Sequence, residues 1–273
     1  MDNYGVPEIF ETEANGQTSL IYQDIKNALK VPVVNFIFRT VAWYENFFAI
    51  AWNQVRPNML TGNMERAAQM LRYPNLSVNL PNLDWSKTYD EQTINRIKNI
   101  IFTFNYVNPK LLLIASAWSE SLANRPNKGV NKIEGFIQPG VIPSLPQIDL
   151  MHVKDAPTEI KDLLLDIAEK HHSLDVASDF RALAFYPEFL GTSWKFMREY
   201  VGTDKYNMIS SELKSQAIQF AHQMPFPVTI NRQQLEKFHT NTEIAGIYGI
   251  VSMFQSFLAD LIIDGELLRR IIE

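Results

Sequence analysis

Residues 38–57 read FRTVAWYENFFAIAWNQVRP, and residues 180–199 read FRALAFYPEFLGTSWKFMRE. Phe38, Arg39, Ala42, Tyr44, Phe47, Trp52 and Arg56 recur as Phe180, Arg181, Ala184, Tyr186, Phe189, Trp194 and Arg198, at a constant spacing of 142 (180 − 38). Extended backwards without a gap, the spacing pairs Asp24-Ile25 with Asp166-Ile167. The motif Pro7-x-Ile9 pairs with Pro146-x-Ile148 after a small length change. Self-similarity at a fixed period marks an internally repeated chain, so two similar halves are expected.

Outward from the repeat, apolar residues follow helical spacing and almost nothing alternates with period two. Ile21, Ile25 and Leu29 predict a helix from Thr18 or Ser19, ending at Lys30-Val31-Pro32 because proline disfavours helical geometry in its predecessor. A long helix is expected over about 34–54, closed by Arg56-Pro57-Asn58, and another over about 63–71. Residues 73–88 read as a loop. A further helix starts between Asp90 and Thr93 and reaches Asn105-Tyr106-Val107-Asn108-Pro109. Pro109 lacks the amide hydrogen that would bond the Asn105 carbonyl, so a kink is expected there, with polar atoms of Asn105 turned into an apolar region or holding a structural water. Pro126, Gly129, Gly135, Pro139, Gly140, Pro143 and Pro146 mark a connector. Beyond it, a helix begins at Asp155 or Thr158, and a longer one over about 176–200 carries Ser178 and Asp179, with Asp175 as its cap. Helices over about 205–223 and 231–238 follow, and a last one opens on the capping box Thr240-x-x-Glu243. The expected fold is all-α: a first helical repeat over 1–124, a connector over 125–147 and a second helical repeat over 148–273, packed as a pseudo-dimer.

A formal net charge of −5 offers no broad basic surface for nucleic acid. Cysteine is absent, which excludes disulfides, thiolate metal sites and cysteine nucleophiles and fits a cytoplasmic protein. The start, MDNYGVPEIFETE, is polar and acidic, without the basic and apolar regions of a signal peptide. Ile244 to Ile263 approaches membrane-spanning length, but Gln255 and Asp260 interrupt it and it reads as a buried core helix, so no membrane partner is expected. His171 and His172 would point about 100° apart on a helix and no HExxH-like spacing occurs, so no metal site is expected.

Asp179 is the chemically informative position. On a helix its face carries Ala182, Leu183, Tyr186 and Leu190, without another charge. At the matching position the first copy has Ile37, and at Ser178 it has Phe36. The site thus faces a core in one half and is polar only in the other. An ionised carboxylate buried without partners is costly, so such a residue is paired, protonated or kept for chemistry. A lysine or arginine bound directly to Asp179, with no cavity beside it, would mark an inert polar network. Arg39 and Arg181 occur in both halves and are assigned to the shared fold. Phe36 fits either core or pocket wall.

Phe104-Asn105-Tyr106-x-Asn108-Pro109-Lys110, the Leu-rich run before Ser119-Glu120-Ser121, Pro126, and Ala177-Ser178-Asp179-Phe180-x-Ala182-Leu183-Ala184 resemble the group I 2-haloacid dehalogenases, the DehI family. The resemblance spans nearly the whole chain, to Phe257-x-Ala259-Asp260. It implies an all-α enzyme of two repeats with the active site between them. It further implies removal of halide from D- and L-2-haloalkanoic acids by direct attack of water, with inversion, without a covalent ester and without a cofactor. By the same resemblance Asp179 activates the water, Asn105 helps to hold it, and Ser178 and Phe36 contact the substrate. The family's tryptophan in its Val-Pro-Trp stretch corresponds to Val33, a smaller side chain on the wall near the halogen. The partners implied are a small carboxylic acid and a catalytic water, and a homodimer is compatible with this reading. Two alternatives remain open at this level: another small carboxylic acid as substrate, or a non-catalytic small-acid binding protein.

Overall fold

A computed structural model describes residues 5–273; the first four residues of the polar start lie outside it. Its helices are α1 (Gly16–Leu29), α2 (Phe36–Val41), α3 (Glu45–Met59), α4 (Gly62–Leu71), α5 (Glu91–Leu122), α6 (Thr158–Lys170), α7 (Ser178–Leu183), α8 (Pro187–Tyr200), α9 (Asp204–His222), α10 (Arg232–Leu235) and α11 (Asn241–Ile272). Among the described residues no strand forms beyond two isolated bridges, Thr61 with Phe136 and Asn127 with Val228. The all-α expectation therefore holds. No helix lies between Leu122 and Val153.

The starts of α1, α2, α3 and α4 each precede those of α6, α7, α8 and α9 by 142 residues (158 − 16 for the first pair). Side-chain bonds recur with them. Trp52 and Arg56 both donate to Asp24, and Trp194 and Arg198 both donate to Asp166. Thr61 and Thr203 cap α4 and α9 by accepting from the backbone N–H groups of Met64 and Tyr206. The Ile9 amide donates to the Arg39 carbonyl at 3.0 Å and the Met151 amide to the Arg181 carbonyl at 3.1 Å. At the same spacing of 142, Ile9 falls on Met151, three residues beyond the Ile148 of the proline motif.

Two long helices expected from periodicity are each broken. The chain leaves α2 after Val41 and starts α3 at Glu45; it leaves α7 after Leu183 and starts α8 at Pro187. Tyr44 and Tyr186 both step out of helical geometry, at φ −107° and −124° with ψ 67°. Pro187 stands at the first helical position, where its missing N–H is no loss. Packing explains why the break also occurs in the first half, which has no proline there. In a straight helix Phe38 and Trp52 would lie about 21 Å apart along the axis. The turn folds them together, with ring centroids 5.7 Å apart, and brings Phe180 within 6.3 Å of Trp194 in the same way. Asp175 does not cap α7: that position is Ala177, and Asp175 accepts from the adjacent Val176 N–H at 2.6 Å.

α5 runs unbroken through Pro109, and α11 begins on the expected Thr240–Glu243 capping box. Both are long and apolar enough to cross a membrane, yet 94% of the most apolar window of α5 and 56% of that of α11 are buried in the fold. They pack along each other as the central pair, and α2 and α7 rest on them.

Candidate active site

α2 and α7 present their matched positions to one small cavity. Asn35, Phe36 and Ile37 line it from one side, and Ala177, Ser178 and Asp179 from the other. α5 adds Asn108, and α11 adds Phe254, whose ring meets that of Phe36 edge-on at 5.0 Å. The cavity volume is about 10 Å³, room for about one water molecule.

Asp179 is 6% exposed. The Asn108 amide donates to its Oδ1 at 2.7 Å. Among the described residues no lysine, arginine or histidine pairs with it. Burial pushes its carboxyl up to about 7 against the opposing bonds from Asn108 and the backbone, and the charge of Asp264 adds to the rise. The amide oxygens of Asn35 and Asn108 are both buried without a hydrogen-bond partner. The residues that line the cavity therefore include a carboxylate, two asparagines whose amide oxygens lack partners, and the Ser178 hydroxyl. A water there can give one hydrogen to Asp179 and the other to an amide, with its lone pairs left for attack.

Behind Asp179, on α11, Asp264 accepts from His171 Nε2 at 2.7 Å and from the Tyr206 hydroxyl at 3.0 Å. His171 Nδ1 faces the Ile167 carbonyl at 2.8 Å. Both ring nitrogens face pure acceptors, so the imidazole carries two protons. Burial alone would lower the His171 pKa, but Asp264 outweighs it and leaves it at about 9. His171 is thus a buried ion-pair partner.

Of the residues singled out from sequence, Asp179, Ser178 and Phe36 come together on this cavity. Val33 is buried, two positions before Asn35, and is not part of the cavity wall. Asn105 does not touch Asp179. Its amide donates to the Gly265 carbonyl at 3.0 Å, its oxygen is buried without a partner, and the residue lines a separate cavity of about 540 Å³ near the end of α11. A Cβ on Gly265 would lie 1.9 Å from that oxygen, so glycine permits the close crossing of α5 and α11 here. Asn108 lies about 4.5 Å farther along α5 than Asn105 and about 60° around it, and the two amides meet different partners, Asp179 and the Gly265 carbonyl. Asn35 and Asn108 were missed as site residues. Asn108 stood within the recognised motif, and Asn35 is matched at the spacing of 142 by Ala177, the same kind of one-sided polarity that drew attention to Asp179.

Residues 32–180 match the family model described as "Halocarboxylic acid dehydrogenase DehI". The chain is 31% identical over 269 residues to a configuration-inverting 2-haloacid dehalogenase of Alcaligenes xylosoxydans xylosoxydans, covering 94% of this chain and 90% of that protein. It is 27% identical to another configuration-inverting 2-haloacid dehalogenase, from Pseudomonas sp. (strain 113), over 93% of this chain and 87% of that one. A solved D-2-haloacid dehalogenase in complex with L-LA superposes with a TM-score of 0.93 at 22% identity, covering 100% of this chain and 98% of that chain, a likeness of fold. On the family match and the 31% relative, this chain belongs to the DehI family.

Proposed function

We propose that this protein is a hydrolase that removes halide from short 2-haloalkanoic acids, of D and L configuration, by attack of an Asp179-activated water. The observation that carries the proposal is a buried carboxylate without a cation, set beside a cavity of one-water size lined by two asparagines whose amide oxygens lack partners. An inert network would have neutralised that charge. Asp179 accepts a proton from the water, the resulting oxygen forms a bond to C2, and the carbon–halogen bond breaks with its electron pair leaving as halide on the opposite face. The configuration inverts, no ester forms on Asp179, and the proton passes on to solvent. A pKa of about 7 suits a group that must take a proton and release it again near neutrality.

The resting cavity has room for about one water and none for a haloacid, so binding must part the Phe36–Phe254 contact. Ser178 then donates to the substrate carboxylate, Phe36 forms the apolar wall, and Val33 shapes the site from behind it. The family resemblance gives the water-holding role to Asn105, whereas the contact with Asp179 belongs to Asn108. We take the contact as the guide, and separate Asn105→Ala and Asn108→Ala variants distinguish the two. The recurring helix starts and bonds support a duplicated chain, with repeats over 1–124 and 148–273 meeting at this cavity as a pseudo-dimer.

The test is halide release from both enantiomers of 2-chloropropionate and 2-bromopropionate. The wild type is expected to release halide and Asp179→Asn to release none while remaining folded. Turnover undiminished in Asp179→Asn rejects the assignment.

A further inference from the structure

We infer that Arg39 is a positioning residue for the substrate carboxylate, acting through the Ser178 hydroxyl. The inference rests on the haloacid reading above and adds to it the source of positive charge that an anionic substrate needs. Arg39, on α2, is 1% exposed. Its Nε donates to Glu8 Oε2 at 2.6 Å, its Nη1 donates to the Val34 carbonyl, and its Nη2 donates to Ser178 Oγ at 3.2 Å. Ser178 lines the cavity. With its oxygen already accepting from Arg39, its own hydrogen has no acceptor among the described residues. It is left to donate into the cavity, polarised by a guanidinium that keeps its charge at any working pH.

Other sources of attraction for a carboxylate are weak here. α7 has six residues, too few for a strong helix dipole at Ser178. Asp179 and Asp264 repel a second carboxylate. Lys110 is tied to Glu65 at 2.7 Å, and His171 is tied to Asp264. Arg39 is different because two guanidinium groups share one carboxylate: Arg181 Nη1 donates to the other oxygen of Glu8, also at 2.6 Å. The nearby Asp175 also feels both arginines, but burial pushes its carboxyl up, towards the uncharged form. Farther out, Lys154, Lys161, His152 and Glu13 line an outer cavity with Asp175 and Arg181.

The duplication sharpens the argument. Arg39 and Arg181 are matched residues, yet only Arg39 reaches a hydroxyl on the cavity. The position matching Ser178 is Phe36, which has no oxygen to offer Arg181; Arg181 Nε turns instead to the Met151 carbonyl at 3.0 Å. A residue present in both halves for the fold has acquired a one-sided task.

The experiment measures propionate binding by calorimetry, independent of turnover, in wild type, Ser178→Ala, Arg39→Lys and the double variant, with propionamide as the uncharged probe. Ser178→Ala and Arg39→Lys should each weaken propionate binding by about 10- to 100-fold, the loss typical of a hydrogen bond to a charged group. The double variant should lose no more than the worse single, because Arg39 acts through Ser178. Propionamide binding should change far less. Glu8→Gln, which removes the shared negative charge, should tighten propionate binding, a direction that loss of packing does not produce. Unchanged propionate affinity in Ser178→Ala, or losses that simply multiply in the double variant, overturns the inference, and the Ser178→Ala arm stands even if Arg39→Lys fails to fold. A wild type that binds propionate with this pattern but releases no halide from 2-chloropropionate overturns the dehalogenase reading instead.

Discussion

Replacing Asp179 by Asn should stabilise the protein while it stops the chemistry, and the gain should grow with pH. Burial moves the Asp179 carboxyl from the ordinary 3.8 to about 7, a displacement of about three pH units at ~1.36 kcal/mol each. The folded form holds this proton more tightly than the unfolded chain does. The group therefore takes nothing from stability below about pH 4, takes progressively more as pH rises towards 7, and takes about 4 kcal/mol above that. At pH 5 the loss is only about 1.5 kcal/mol. Asn has nearly the same shape, stays neutral and keeps an oxygen for the Asn108 amide, so it escapes the penalty. The stability advantage of Asp179→Asn over wild type should widen by about 2–3 kcal/mol between pH 5 and pH 8. Urea unfolding followed by circular dichroism at the two pH values reads this difference directly. An advantage of the same size at both would refute the argument that the carboxylate sits dry and without a counter-charge.

Asp264 is the charged neighbour that adds to the rise at Asp179, so Asp264→Asn should shift the acid limb of the kcat/KM profile to lower pH; a limb that stays in place removes Asp264 from the account. His171, whose ordinary value is 6.5, holds its proton to about 9, so its pairing with Asp264 contributes fully below pH 6.5 and is lost as pH rises through 9. Chemical denaturation of His171→Gln should therefore show a larger destabilisation at pH 6 than at pH 10, and equal losses would contradict the ion pair. Phe254→Ala should cost about 3–5 kcal/mol as a buried aromatic truncation. In the same variant the rate ratio of 2-chlorobutyrate to 2-chloropropionate should increase, and an unchanged ratio would show that Phe254 does not bound the substrate space.

Helix content was legible because burial in this protein follows the 3.6-residue period, and the residues matched at a spacing of 142 include Asp24, Trp52 and Arg56, whose bonded arrangement is also made by Asp166, Trp194 and Arg198. The breaks after Val41 and Leu183 were hidden, since apolar spacing continues across them and only the tertiary meeting of Phe38 with Trp52 demands a turn. Asp179 announced itself through chemistry that clashes with its twin Ile37. Choosing between Asn105 and Asn108 depended on the rotation of α5 against α7, which no local pattern encodes. Arg39 was read as structural because it recurs; its contact with Ser178 links residues far apart in the chain and became visible only in the folded protein.

A single turnover in water enriched in oxygen-18, with enzyme in excess over 2-chloropropionate, tests the direct displacement most plainly. The account predicts that the first 2-hydroxy acid formed carries the heavy oxygen and that the peptide containing Asp179 carries none. A first product with ordinary oxygen, followed by heavy oxygen in the Asp179 carboxylate, would mean that the side chain attacks carbon itself.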